Sequence, residues 1–210
     1  MVAADIRGWV RTLRRLLRRG QRWILWRQEF LWLRAQLAIE VMEEVQAPEG
    51  VVIQQYDFET RQRFLTAVSS DIAGRLARLW EALPQSWVFA VELNSVTVAY
   101  YCFVSVGKVW IEELGTQWSF APGQAYVHTC YAMPGYRGCG FHSMAMRYVH
   151  SWLARRGFRE AFALVASGNT PSLRGFQRAG FAVAGCVVHW HFLGRVYRRA
   201  QLYGKGQANG

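Results

Sequence analysis

The sequence predicts an α+β fold: a mixed, mostly antiparallel central sheet flanked by helices, with an N-terminal helical extension. Three patterns predict it. Over residues 87–114, aromatic and β-branched blocks are parted by the turn signals Asn94-Ser95 and Gly107-Lys108, as in consecutive antiparallel strands. From Ala125 onward, strand-like and helix-like stretches alternate. Ahead of both, Trp9, Leu13, Leu16, Leu17, Ile24, Phe30, Leu33, Leu37 and Val41 recur at spacings near three and four, with arginines between them.

Taken in order, helix is expected from residue 6 to about 45, divided at Gly20 and stopped by Ala47-Pro48-Glu49-Gly50. Residues 51–55 are short and β-branched, a first strand. Two helices follow over 58–69 and 71–83, each with an apolar stripe, and Pro84 ends the second. Strands are expected over 87–93, 96–106 and 109–114, then a loop through Pro122-Gly123 and a strand over 125–133. A helix over 141–156, a strand over 161–166, a short helix over 171–179 and strands over 181–192 and 196–202 complete the order. The chain thus divides into a basic aromatic extension (1–47), one domain (48–205) and a tail (206–210).

Of 210 residues, 52% are hydrophobic and 15% aromatic, which supports a sizeable core and excludes disorder for most of the length. The net charge of +11 favours anionic partners. Residues 1–34 hold nine arginines against Asp5 and Glu29, so most of that charge belongs to the extension. Interleaved with Trp9, Trp23, Trp26 and Trp32, these arginines suit an anionic membrane surface or an acidic protein such as an acyl carrier protein. A helix packed on the domain, or on a second subunit in a homodimer, would read the same way. Nucleic acid is disfavoured, because no recognition motif accompanies the charge. Cys102, Cys130, Cys139 and Cys186 show no metal-ligand spacing and are expected as free thiols in the cytoplasm. The most apolar N-terminal stretch is broken by Arg27, Glu29, Arg34 and Glu40, which a membrane-spanning helix would not carry cheaply. A soluble cytoplasmic protein, at most peripheral to the inner membrane surface, is expected.

The chemistry concentrates in Met133-Pro134-Gly135-Tyr136-Arg137-Gly138-Cys139-Gly140-Phe141-His142, entered by a strand and left by a helix. Gly138 and Gly140 let a ligand approach the backbone closely. Free N–H groups of the first helical turn, aided by the helix dipole and Arg137, suit phosphate oxygens. The loop is neither a P-loop nor a dinucleotide fingerprint, since it lacks both the Gly-Lys-Ser/Thr ending and the required glycine spacing. Downstream, Asn169-Thr170-Pro171-Ser172 opens a short helix that Gly180 is placed to stop.

These two segments, in this order and about thirty residues apart, resemble the GNAT superfamily of N-acyltransferases. "YRGCGFHSMAM" is similar to its pyrophosphate loop and helix, and "NTPSLRGFQRAGF" to its Asn-initiated segment. The resemblance implies a GNAT-like sheet and transfer of an acyl group, acetyl foremost, from CoA to a small-molecule or protein amine. It implies that amides of Arg137, Gly138, Cys139, Gly140, Phe141 and His142 hold the pyrophosphate of acetyl-CoA or another acyl-CoA. Ala132 and Met133 would pair with the pantetheine arm, Asn169 would hydrogen-bond it, and an amide near Met133 would polarise the thioester carbonyl. Where the family often has an acid tyrosine, this chain has Phe176, so Tyr131 or water must protonate the leaving thiolate, or none does. An acyl carrier protein as donor and a non-catalytic scaffold on the same fold are the alternatives.

Aminolysis of a thioester also needs a proton acceptor. His128, on the strand entering the loop, is one candidate, sharing a face with Tyr126, Cys130 and Ala132 by simple alternation. Adjacent Glu112 and Glu113 on the preceding strand are the other. His142 reads as a helix-start residue beside the phosphates, Cys139 as a small loop residue, and His189 and His191 as sheet residues. No metal site is expected.

Overall fold

The computed structural model describes residues 25–37, 47–192 and 195–202. In chain order these hold β1 (Leu25–Gln36), β2 (Val51–Tyr56), α1 (Arg61–Ala67), α2 (Ser70–Ala82), β3 (Ser86–Leu93), β4 (Thr97–Ser105), β5 (Lys108–Ile111) and β6 (Thr116–Ser119). There follow β7 (Gln124–Ala132), α3 (Phe141–Arg155), β8 (Glu160–Ala166), α4 (Thr170–Arg178), β9 (Ala182–Phe192) and β10 (Arg195–Leu202). A single 3₁₀ turn, Pro134–Tyr136, bridges β7 and α3.

Eight strands form one sheet in the order β10-β9-β1-β8-β7-β4-β3-β2, and β5 and β6 pair separately as a hairpin. Every neighbouring pair in the large sheet is antiparallel except β7 and β8. On one face, α3 sets Met144, Ala145, Val149 and Leu153 against Phe89, Val91, Tyr100 and Cys102. On the other, α1 and α2 set Phe64, Leu76 and Trp80 against Val88, Ala90, Tyr101 and Phe103. Beside α2, the hairpin buries Val109 and Ile111 with Phe30, Trp32, Phe120 and Tyr126. The mixed α+β class is as expected.

The N-terminal reading needs correcting. Residues 25–36, expected within a helix, form a strand that lies between β8 and β9 and pairs antiparallel with both. Leu33 and Ala35 enter the core beneath α3, while Phe30 and Trp32 enter the core beneath the hairpin. A strand buried on both faces shows no polar alternation, and its apolar residues then imitate helical spacing. Arg34 stays tolerable because its Nε lies 3.2 Å from Glu160 on the neighbouring strand. The arginine-rich residues 1–24, expected to be helical, lie outside the described residues, as do 38–46.

Two smaller differences concern the hairpin. The strand expected over 109–114 ends at Ile111, and Glu112 and Glu113 sit exposed in the turn that follows. The stretch after it, expected as loop, contains β6. All four cysteines are free thiols. No helix among the described residues is long and apolar enough to cross a membrane.

Candidate functional site

The site begins where the one parallel pair fails. Strands β7 and β8 pair only from Gln124–Glu160 to Tyr126–Phe162. Beyond Tyr126 the edge of β7 that faces β8 is unpaired, leaving backbone groups able to bind an extended amide chain as a further strand would. The far end of that edge runs into the 3₁₀ turn and the start of α3.

There Gly138 and Gly140 take φ of 81° and 79°, the left-handed region where a side chain is disfavoured. A Cβ built on either meets nothing within 4 Å, so the loop faces open space. The first intrahelical bond of this turn runs from Met144 N–H to Gly140 O at 3.1 Å, leaving the earlier amides for a ligand. No acidic residue occupies the first turn of α3, and Arg137 and Cys139 are exposed beside it. Amides and helix dipole meet at this loop beside an exposed guanidinium, a donor set suited to an anion such as a pyrophosphate. Arg137 also ties the loop to the open edge, its Nε lying 3.4 Å from Ala132 O.

One expected role changes. The Met133 N–H donates to Ala99 O on the neighbouring strand at 2.9 Å, so it is not free to polarise a thioester. Strand alternation turns the Ala132 amide toward the open edge instead. Asn169 caps α4, its Oδ1 accepting from Ser172 N–H at 3.3 Å, and the residue is exposed near the splay.

The His142 ring does not lie beside the phosphate loop. It turns inward, with Nδ1 2.7 Å from the Tyr100 hydroxyl and its centroid 4.6 Å from the Phe176 ring. Gly175 makes room for it, because a Cβ there would lie 2.0 Å from His142 Cδ2. Burial lowers His142 to about 4, so the ring is neutral at neutral pH. Phe176 is only 2% exposed, wedged edge-on between His142 and Phe181. It lines the core rather than the cleft.

His128 lies on the opposite face. A bulge at Thr129 (φ 50°) shifts the β7–β4 register between Tyr101–Tyr131 and Phe103–His128. The expected grouping of His128 with Cys130 and Ala132 is therefore wrong. Cys130 and Ala132 pack toward α3, whereas His128 packs on Phe103 and Tyr126, and Tyr131 packs on Tyr101. The bulge thus puts His128 and Tyr131 on one face, the face of α1 and α2. Arg137 stands 6.0 Å above the Tyr131 ring.

Around His128 the polar contacts are complete. Its Nε2 is 2.7 Å from Ser105 Oγ, which is 2.8 Å from Ser86 Oγ, and Ser86 donates to Leu83 O at 2.6 Å. Its Nδ1 is 2.9 Å from Thr129 Oγ1. Burial lowers the imidazole to about 3. Glu112 and Glu113, by contrast, are exposed on the hairpin turn; burial, with a smaller contribution from the Glu113 charge, raises the Tyr126 phenol. Sequence reasoning missed Ser86, Ser105, Thr129 and Tyr100. Nothing in a strand pattern marks a bulge, and the serines sit within apolar runs. Among the described residues, no group of three or more His, Cys, Asp or Glu could hold a metal ion.

Comparison with solved structures agrees with this fold. A GCN5-related N-acetyltransferase from Sphaerobacter thermophilus superposes with a TM-score of 0.57 at 15% identity, over 90% of this chain and 57% of that one. A tandem GNAT protein from the clavulanic acid biosynthesis pathway gives 0.55 at 12% identity, over 82% and 51%. A GNAT-family acetyltransferase from Colwellia psychrerythraea gives 0.51 at 13% identity, over 80% and 57%. At these identities the likeness is one of fold, and the chain spans between half and two thirds of the length of each. No curated protein sequence matches. The Acetyltransferase (GNAT) family, however, matches residues 42–181, well over half the chain and including the glycine turn ahead of α3 and all of α4. The chain belongs to the GNAT acetyltransferase family.

Proposed function

We propose that this protein transfers an acyl group, acetyl foremost, from coenzyme A to a primary amine by direct attack on the thioester. The observation that carries the reading is the unpaired edge of β7 running into the glycine-lined first turn of α3. An acyl-CoA laid along it would put its pyrophosphate on amides of Arg137 to His142 and its pantetheine amides against the Ala132 edge. Asn169 would meet the arm from the α4 side. The thioester would then reach the Thr129–Met133 stretch, with the Ala132 amide placed to stabilise the oxyanion.

His128 is the favoured proton acceptor. It sits at the bulge with a hydrogen-bonded ring, whereas Glu112 and Glu113 occupy an exposed turn. Phe176 offers no proton to the thiolate, and Tyr131, on the face of His128, is the group placed to do so. Coenzyme A thiolate is also a fair leaving group without help.

Calorimetric titration with acetyl-CoA tests this, comparing the parent with a Gly138→Glu/Gly140→Glu variant. Binding by the parent alone is the expected result, since the added carboxylates occupy and repel the phosphate position. A folded parent that binds no acetyl-CoA would move the donor to an acyl carrier protein or leave a non-catalytic scaffold.

A further inference from the structure

Thr129 is the one β-branched residue with positive φ among the described residues, and it is exposed. Such a side chain rarely adopts that conformation, and strain of this kind persists where a site uses it. No packing at an exposed position accounts for keeping threonine there. What the conformation does achieve is a hydroxyl 2.9 Å from His128 Nδ1.

The chain of hydrogen bonds behind His128 has a fixed direction. A carbonyl only accepts, so Ser86 spends its one hydroxyl proton on Leu83 O. Ser86 must then accept from Ser105, which spends its own proton in turn. Ser105 can therefore only accept from His128, and Nε2 carries the hydrogen. The lone pair of the neutral ring lies on Nδ1, and the group facing it is the Thr129 hydroxyl. With its hydrogen on Nδ1, Thr129 Oγ1 keeps its lone pairs for another donor, and the residue is exposed.

We propose that Thr129 is a catalytic residue that relays the acceptor's proton to His128 Nδ1; this rests on the acyltransfer reading above. The amine nitrogen bonds to the thioester carbon, giving a tetrahedral adduct with an ammonium proton. That proton passes to Thr129 Oγ1 as the threonine's own proton passes to Nδ1, so threonine ends unchanged and His128 becomes a short-lived imidazolium, disfavoured by burial and quick to give its proton up. Collapse breaks the C–S bond, and the electron pair leaves on the CoA sulfur. The thiolate takes the Tyr131 proton, the imidazolium returns its proton through Thr129 to water, and Tyr131 is reprotonated from water. Ser105 and Ser86 are positioning residues, holding the tautomer that leaves Nδ1 as the base.

The experiment uses the full chain with acetyl-CoA and a panel of primary amines: 2-phenylethylamine, glucosamine, spermidine and a peptide α-amine. Thr129→Val keeps shape and strain but loses the hydroxyl, and should lower kcat by about tenfold or more with the KM for acetyl-CoA within about twofold. Thr129→Ser should keep most of kcat. Thr129→Gly removes the strain, so it should melt no lower than the parent yet be as slow as the valine variant. In mixed H2O and D2O, the parent's curved dependence of kcat on deuterium fraction should become linear in both variants without the hydroxyl. Valine and glycine variants with the parent's kcat and curvature would overturn the relay while leaving acyl transfer standing. A parent that binds no acetyl-CoA and acetylates no amine would overturn the acyltransfer reading and the relay with it.

Discussion

His128 and His142 are both partly buried, neutral and bonded to a hydroxyl, yet they stand in opposite situations. His128 has a partner on each ring nitrogen, and one partner, Thr129, opens to solvent. His142 bonds Tyr100 through Nδ1, while its Nε2 is buried without a hydrogen-bond partner among the described residues. Burial lowers both, to about 3 and about 4, so the direction of the shift does not separate them. The hydrogen-bond pattern does. A ring connected to solvent through a hydroxyl is built to exchange a proton, and a ring packed tightly against Gly175 and edge-on with Phe176 is built to fill space.

The sharpest way to break that contrast is substitution of the rings themselves. His128→Ala should reduce kcat by roughly 10²–10⁴-fold, the usual loss on removing a general base, with acetyl-CoA affinity unchanged in calorimetry. His142→Ala should leave kcat within an order of magnitude and act on stability instead. Equal losses from the two would mean that the contrast drawn from hydrogen bonding is empty.

Next in size is the space His142 occupies. Gly175→Ala places a methyl 2.0 Å from the ring, and the Tyr100 hydrogen bond limits its retreat. Overpacking of this kind costs about 1–3 kcal/mol, and because the ring sits in the first turn of α3, acetyl-CoA affinity should fall too. The double change Gly175→Ala/His142→Ala should recover much of both losses, a coupling readable from denaturant midpoints. Purely additive losses would place the ring's role elsewhere.

What the sequence disclosed of this site follows from what each feature depends on. The glycine turn ahead of α3 was legible because Gly138 and Gly140 are needed for their own backbone, so their identities carry the signal. Asn169 was legible for the same reason, as a helix cap. The inner strand β1 was not, because Leu33 and Ala35 on one face and Phe30 and Trp32 on the other leave no alternation to read. Nor was the bulge at Thr129, a register property of two strands that neither strand carries alone. That one hidden residue reversed which side chains share a face with His128. Phe176 was placed correctly in the chain but not in space, since a fold resemblance assigns positions and packing decides exposure.

The histidines also set a response to acid. Unfolded, each would titrate near 6.5, so between that value and about 4 the unfolded chain binds more protons than the folded one. Stability is therefore complete above about pH 6.5 and is lost as pH falls, by up to ~1.4 kcal/mol per pH unit for each ring. Thermal melts at pH 7 and pH 5 should differ clearly in the parent. A flat profile would mean that the rings accept protons without unfolding.

The smallest expected effect isolates one of these rings. His150 on α3 is 3% exposed, lies tilted with its ring centroid 4.8 Å from that of Phe181, and has a buried Nε2 with no hydrogen-bond partner among the described residues. Burial lowers it to about 4, and it touches neither the phosphate loop nor the bulge. His150→Phe keeps the ring and removes the unsatisfied nitrogen, so stability at pH 7 should rise by about 1 kcal/mol. Because phenylalanine binds no proton when the chain unfolds, the drop in melting temperature between pH 7 and pH 5 should shrink as well. Acetyl-CoA affinity and kcat should stay at parent values. If the acid sensitivity is unchanged, then His150 does not set it, and other groups carry the response.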